Sequence, residues 1–195
     1  MNLIMTKRVF IVHGWGGSPK SDFLPYLKKE LENKNFEVYV PAMPNSEEPK
    51  IETWIPYLAN SVGNVDENTF LVGHSIGCQT ILRFLESLPD DQKAGGAVFV
   101  AGFFYLSHLD ENEDEEIAKL WTETPIDLKK IKSHLPKSIA IFSDNDPYVS
   151  LDNKDRFANE LGSKIIIEHN MAHFNEGAGI TQLPIALKSV LEISN

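Results

Sequence analysis

Gly73-His74-Ser75-Ile76-Gly77 fits G-x-S-x-G, the spacing that sets a serine on a sharp strand-to-helix turn between small neighbours. The apolar run Phe70-Leu71-Val72 precedes it and a helical stretch through Phe84 and Leu85 follows, which is the context such a turn needs. There the serine takes a strained backbone conformation that lifts it into solvent, while the glycines avoid collisions as the turn closes. Ser75 is therefore a candidate nucleophile for acyl transfer. The bland alternative is a helix N-cap, a role serine also fills. His74 adjoins it, but its side chain is expected to turn away from the exposed serine and to be structural.

A serine hydroxyl needs a base, and the base needs an acceptor that fixes its tautomer. The apolar run Ile139 to Phe142 leads into Ser143-Asp144-Asn145-Asp146-Pro147-Tyr148-Val149, a strand-end loop in which Pro147 stops an immediate helix. Asp146 is the preferred acid and Asp144 its competitor, each with a turn-forming role as the alternative. After Ile165 to Ile167 comes Glu168-His169-Asn170-Met171-Ala172-His173-Phe174. His173 is the candidate base and His169 the lesser one, while His108 and His134 are expected at the surface. The order Ser, Asp, His differs from that of trypsin-like and subtilisin-like proteases and is the one expected of an α/β-hydrolase.

The fourth chemical element is an anion site. His13-Gly14-Trp15-Gly16-Gly17 follows the apolar run Val9 to Val12, and its glycines let backbone approach a reacting atom closely. The backbone N–H groups of Trp15 and of Ile76, next to the nucleophile, are the expected oxyanion donors. A plain turn with His13 bonded internally is the alternative. Phosphate binding is disfavoured, because neither G-x-x-x-x-G-K-[ST] nor a proper G-x-G-x-x-G is present.

These residues need a scaffold. Short continuous apolar runs at 9–12, 36–40, 69–73, 97–101, 139–142 and 165–167 read as strands covered on both faces, as in parallel sheets. Helical spacing lies between them, in Leu24, Leu27 and Leu31 and in Leu183, Leu187, Val190 and Leu191. The alternation predicts an α/β fold with a mostly parallel sheet of about six strands. Little chain precedes the first run, so no extra N-terminal hairpin is expected. One domain over 1–195 is expected, with a small cap or insert at 103–136 as the one elaboration. Within it, Asp110 to Glu116 hold six acidic residues in seven positions.

The HGWGGS loop, the GHSIGC turn, the SDNDPYV acid loop and the AHFNEGAG histidine loop resemble those of the retinoblastoma-binding-protein-9 and YdeN-like serine hydrolases. These are compact members of the α/β-hydrolase superfamily. The resemblance spans nearly the whole chain and implies Ser75, Asp146 and His173 as a catalytic triad in a three-layer α/β/α sandwich. It also implies a sheet without the superfamily's first two strands, hence the order 2-1-3-4-5-6. That order reverses between strands 1 and 3, and ligands bind at such switch points. No L-x-C-x-E segment surrounds Cys78, so retinoblastoma-type partner binding is not expected.

The implied reaction is hydrolysis of a small ester, with thioester or amide sharing the same tetrahedral intermediate. It requires no cofactor and no metal. Trp15, Phe103, Phe104 and Met43 are the candidate substrate contacts. Two other classes compete: a catalytically silent scaffold that binds a partner through the acidic segment, and a flavodoxin-like nucleotide binder.

Composition narrows the partners. A chain of 195 residues buries about 70% of its surface, enough for one complete core. The net charge of −10 repels phosphate backbones, so neither nucleic acid nor an anionic membrane is an expected partner. A small-molecule acyl substrate is. If the acidic run folded over the cleft, it would disfavour anionic substrates. The single Cys78 offers no intramolecular disulfide, and the apolar stretch before Lys7 is too short for a signal-peptide core. No apolar run approaches the ~18 residues of a membrane span. A cytoplasmic location is the expectation.

Overall fold

A computed structural model of the chain describes residues 6–107 and 112–195, with the backbone alone for 112–114. The strands are β1 (Arg8–Val12), β2 (Glu37–Tyr39), β3 (Thr69–His74), β4 (Gly96–Val100), β5 (Ser138–Ser143) and β6 (Lys164–Glu168). The helices are α1 (Leu24–Glu32), α2 (Ile51–Val62), α3 (Ile76–Glu86), α4 (Asn112–Glu123), α5 (Leu128–His134), α6 (Asn153–Arg156) and α7 (Pro184–Ile193). All six strands run parallel in the order β2-β1-β3-β4-β5-β6, as expected.

Alternation along each strand explains the three layers. Val9 and Ile11 face α1 and α7, in a cluster with Val72, Val98, Val100 and Ile141. Phe10 and Val12 face the other way, into a cluster with Leu71, Phe99 and Phe142 that α2, α3 and α5 cover. Because both faces are covered, the strands read as unbroken apolar runs. The exceptions are the two edge strands, where Tyr39 of β2 is 46% and Ile167 of β6 40% exposed, since an edge strand has a neighbour on one side only.

The helices follow local rules with tertiary corrections. Pro25 sits in the first turn of α1, where its missing N–H costs nothing, and Leu24, Leu27 and Leu31 bury its inner face. In α2 the interior Pro56 removes one backbone donor, yet Trp54, Leu58 and Val62 are buried on one side and hold the helix in place. In α7 the buried face is Ala186, Ser189, Val190 and Ile193, with Leu187 and Leu191 only partly covered. Among the described residues no helix is long and apolar enough to cross a membrane.

The interval 103–136 contains α4 and α5. Trp121 of α4 is buried, packs edge-on against Trp54 and donates its indole N–H to the Pro49 carbonyl at 2.9 Å. The Arg83 guanidinium reaches the carbonyls of Trp121 and Thr124, both at 2.8 Å, and so ties the end of α4 to α3. Glu115 and Glu116 are exposed, and Glu115 pairs with Lys119 one turn on. His108, Asp110 and Glu111 lie outside the described residues, as do the side chains of Glu113 and Asp114. His134 departs from expectation: it is 1% exposed, because its Nδ1 meets the Gln92 carbonyl at 2.8 Å across the chain.

Candidate active site

The sheet order reverses between β1 and β3, and the loops after both strands open into one cleft of about 460 Å³. The turn after β3 is the sharp one expected. Ser75 has φ 55° and ψ −121°, outside the favoured regions for an L-residue, and its N–H is held by the Val100 carbonyl at 2.9 Å. Both flanking glycines are obligatory on steric grounds. A Cβ on Gly73 would lie 2.7 Å from the Cys78 nitrogen, and one on Gly77 would lie 2.3 Å from the Val12 carbonyl oxygen. Neither obstacle is a flexible side-chain end. Gly77→Ala is therefore expected to overpack the α3–β1 contact by about 1–3 kcal/mol, lowering Tm by roughly 2–12 °C in a thermal melt.

Three predicted residues meet here. The Ser75 hydroxyl lies 2.9 Å from His173 Nε2, and His173 Nδ1 lies 2.8 Å from Asp146 Oδ2. The Asp146 side chain is 1% exposed, and its other oxygen accepts the backbone N–H groups of Tyr148 and Val149 at 2.9 and 3.0 Å. Those two bonds fix the carboxylate before the histidine arrives, as preorganisation requires. The Tyr148 ring stands edge-on to the His173 ring at 5.2 Å.

The loop that carries His173 is unusual for a chain with few glycines there. Asn170, Ala172 and Phe174 all have positive φ, at 58°, 44° and 55°. Such a backbone persists only when its surroundings over-determine it. Four consecutive residues, from the last of β5 onward, do so. Ser143 Oγ accepts from Met171 N, Asp144 Oδ1 from Asn170 N, Asn145 Oδ1 from Ala172 N, and Asp146 takes the ring of His173. Phe174 is fully buried beneath the loop.

Asp144, the competing acid, is thus committed elsewhere. Its Oδ2 lies 2.6 Å from Nδ1 of the exposed His169. The Asn170 N–H and the His169 ring hold the Asp144 carboxyl below the usual range, and the bond to Asp144 together with its charge raises His169. A raised histidine contributes stability below its ordinary value of 6.5 and loses it as pH rises through the raised one; a lowered aspartate contributes above 3.8 and loses it on acidification. The pair therefore acts fully between roughly pH 4 and 6.5. Exposure keeps it weak. An NMR titration should find His169 above 6.5, falling back toward it in Asp144→Asn.

The glycine loop lines the same cleft. Gly16 has φ 64° and donates to the Ser46 carbonyl, while the Trp15 indole N–H donates to the Glu47 carbonyl at 2.9 Å. His13 is internal: its Nδ1 meets the Gly14 carbonyl at 2.8 Å and its Nε2 accepts from Met43 N at 3.0 Å. Burial lowers its pKa and outweighs the opposing Gly14 bond, which agrees with a neutral ring. Among the described residues, the N–H groups of Trp15 and Ile76 donate to no protein acceptor; Ile76 opens α3, where an N–H has no intrahelical partner.

The cleft is lined by the apolar Trp15, Phe103, Leu106 and Tyr148 and by the polar Ser21, Asp22, Asn175 and Glu176. Two expected contacts do not line it. Met43 is drawn into the core by its backbone bond to His13, and Phe104 packs on Phe157 beneath the Arg156 guanidinium. Leu106 and Tyr148 do line it. Burial pushes the Cys78 thiol up, so this residue beside the turn stays protonated. Among the described residues no group of His, Cys, Asp and Glu is arranged to hold a metal ion.

The serine hydrolase family model matches residues 9–192. The chain is 34% identical to the YdeN protein of Bacillus subtilis (strain 168) over 185 residues, 93% of each chain. It is 26% identical to the serine hydrolase RBBP9 of Rattus norvegicus over 181 residues, covering 92% of this chain and 87% of the relative. The crystal structure of the B. subtilis ydeN gene product superposes with a TM-score of 0.88 at 30% identity, covering 96% of this chain and 98% of the other.

Proposed function

The chain belongs to the serine hydrolase family, and on that premise we propose that Ser75, His173 and Asp146 are its catalytic triad and small carboxylic esters its substrates. The observation that carries the reading is the continuous chain from Ser75 Oγ through His173 to the buried Asp146, open to a cleft at one end. Ser75 attacks the carbonyl carbon as His173 Nε2 takes the hydroxyl proton, and the carbonyl electron pair moves onto oxygen. The N–H groups of Trp15 and Ile76 receive that oxyanion.

Collapse of the tetrahedral intermediate breaks the bond to the leaving group, which takes the proton from His173. Water then attacks the acyl-enzyme, His173 again acting first as base and then as acid, and the carboxylic acid leaves. Asp146 accepts from Nδ1 throughout and stabilises the imidazolium. The apolar lining of Trp15, Phe103, Leu106 and Tyr148 suits a small acyl group. Esters are favoured over amides because an alkoxide is a better leaving group than an amide anion, so ester cleavage leans less on proton donation from His173.

The deciding experiment is fluorophosphonate labelling followed by peptide mapping. Stoichiometric phosphonylation of Ser75 is expected. A folded protein that takes up no label would instead be a catalytically silent scaffold on the same fold.

A further inference from the structure

A second histidine–carboxylate pair lies behind the first, and the reaction steps above make no use of it. His74 is 3% exposed; its Nε2 meets the carbonyl oxygen of His173 at 2.8 Å, and its Nδ1 lies 3.4 Å from Asp22 Oδ2. The two imidazole rings are 5.2 Å apart, and Phe23 stands edge-on to His74. Asp22 in turn clasps the base loop: its Oδ1 accepts from Glu176 N at 2.9 Å, and its own N–H donates to Glu176 Oε1 at 3.2 Å. Asp22 adopts φ 57° to do this, a conformation that aspartate tolerates better than most residues.

The base loop needs such a hold. The bonds from Ser143, Asp144 and Asn145 secure the N–H groups of residues 170–172, and Asp146 secures the ring of His173. The carbonyl of His173, between the positive-φ residues Ala172 and Phe174, has His74 as its partner among the described residues. Rotation of that peptide would swing the Cα–Cβ bond of His173 and move Nε2 away from Ser75. His74 immediately precedes Ser75, so one side chain fastens the backbone of the base to the residue beside the nucleophile.

We infer that His74, oriented by Asp22, is a positioning residue that fixes the His173 backbone so that Nε2 stays in register with Ser75 Oγ. This rests on the reading of Ser75 as nucleophile and His173 as base. Asp22 stands in the β1–α1 connection that follows the glycine loop, and its carboxylate meets both His74 and the Glu176 N–H, so the segments carrying the nucleophile, the base and the proposed oxyanion donor are linked through the His74–Asp22 pair. Although burial alone would raise Asp22, the His74 ring and the Glu176 N–H leave it below the usual carboxylate range, in keeping with an ionised partner for His74.

The test compares His74→Leu, which keeps the bulk and removes the donor, with His74→Gln, whose amide nitrogen reaches about as far as Nε2. The readouts are kcat and KM for p-nitrophenyl acetate and the rate of phosphonylation at Ser75. A misplaced base should cost His74→Leu about 10- to 100-fold in kcat and a similar factor in phosphonylation rate. KM should stay within about twofold, because a group that acts on the transition state leaves ground-state binding alone. His74→Gln should regain most of the loss. Asp22→Ala, at a partly exposed position, should show a smaller loss and serves if His74→Leu does not fold.

Wild-type kcat in His74→Leu, a His74→Gln variant as impaired as His74→Leu, or wild-type kcat in Asp22→Ala would each overturn the inference. Failure of the underlying reading shows separately: Ser75→Ala would then turn over the ester at the wild-type rate, and the inference would fall with it.

Discussion

Ser75→Ala is expected to abolish ester turnover and fluorophosphonate labelling while the thermal melt stays close to that of the wild type. The hydroxyl is partly exposed, and its hydrogen bond is the one to His173 Nε2. Removing it leaves no buried polar group stranded, because that nitrogen faces the cleft. The unfavourable φ of 55° is the same for alanine, since both residues carry a Cβ, so the strain of the turn is unchanged. Chemistry, in contrast, loses its nucleophile. Where a triad acts as a unit, deletion of its serine costs about six powers of ten in kcat, and what remains comes from the oxyanion site and binding. The measurement is kcat on a clean preparation beside a labelling gel. Ester turnover within tenfold of the wild type would exclude Ser75 as the nucleophile.

Ser75 is the most legible member of the site because its signal is local: five residues, a strand before and a helix after. The strands are legible for a related reason. Burial on both faces removes polar residues from a whole run, and the edge strands β2 and β6, with Tyr39 and Ile167 exposed, break the rule. What cannot be read from the chain is any role set by a partner far along it. Asp22 meets Glu176 from 154 positions away, and His134 meets the Gln92 carbonyl from 42. The role of Asp22 is therefore silent in sequence, and His134 reads as a surface residue although it is buried. Met43 misleads in the opposite direction. A methionine after a strand end suits a cleft as well as a core, and the His13–Met43 backbone bond decides for the core.

The choice between Asp146 and Asp144 carries the other large effect. Asp146→Asn is expected to reduce kcat by about 10⁴, because an amide that keeps accepting from Tyr148 N and Val149 N presents its NH₂ to His173 and favours the tautomer with the proton on Nε2. Nε2 then faces Ser75 as a donor and cannot take its proton. The fold should survive, since the replacement preserves shape and both backbone bonds. Asp144→Asn should reduce kcat by less than tenfold. Its carboxylate is bonded to the exposed His169 and to Asn170 N, and an amide oxygen keeps the bond from Asn170. Any loss would come through loosening of the loop before His173, which Ser143 and Asn145 continue to hold. Both aspartates stand in one strand-end loop, and each meets a histidine of the loop after the next strand. Burial separates them: the Asp146 side chain is 1% exposed and that of Asp144 34%, so only Asp146 can act through a low-dielectric contact. Steady-state kinetics of the two variants on one ester, with a reversed order of impairment, would transfer the role of acid to Asp144 and make His169 the base.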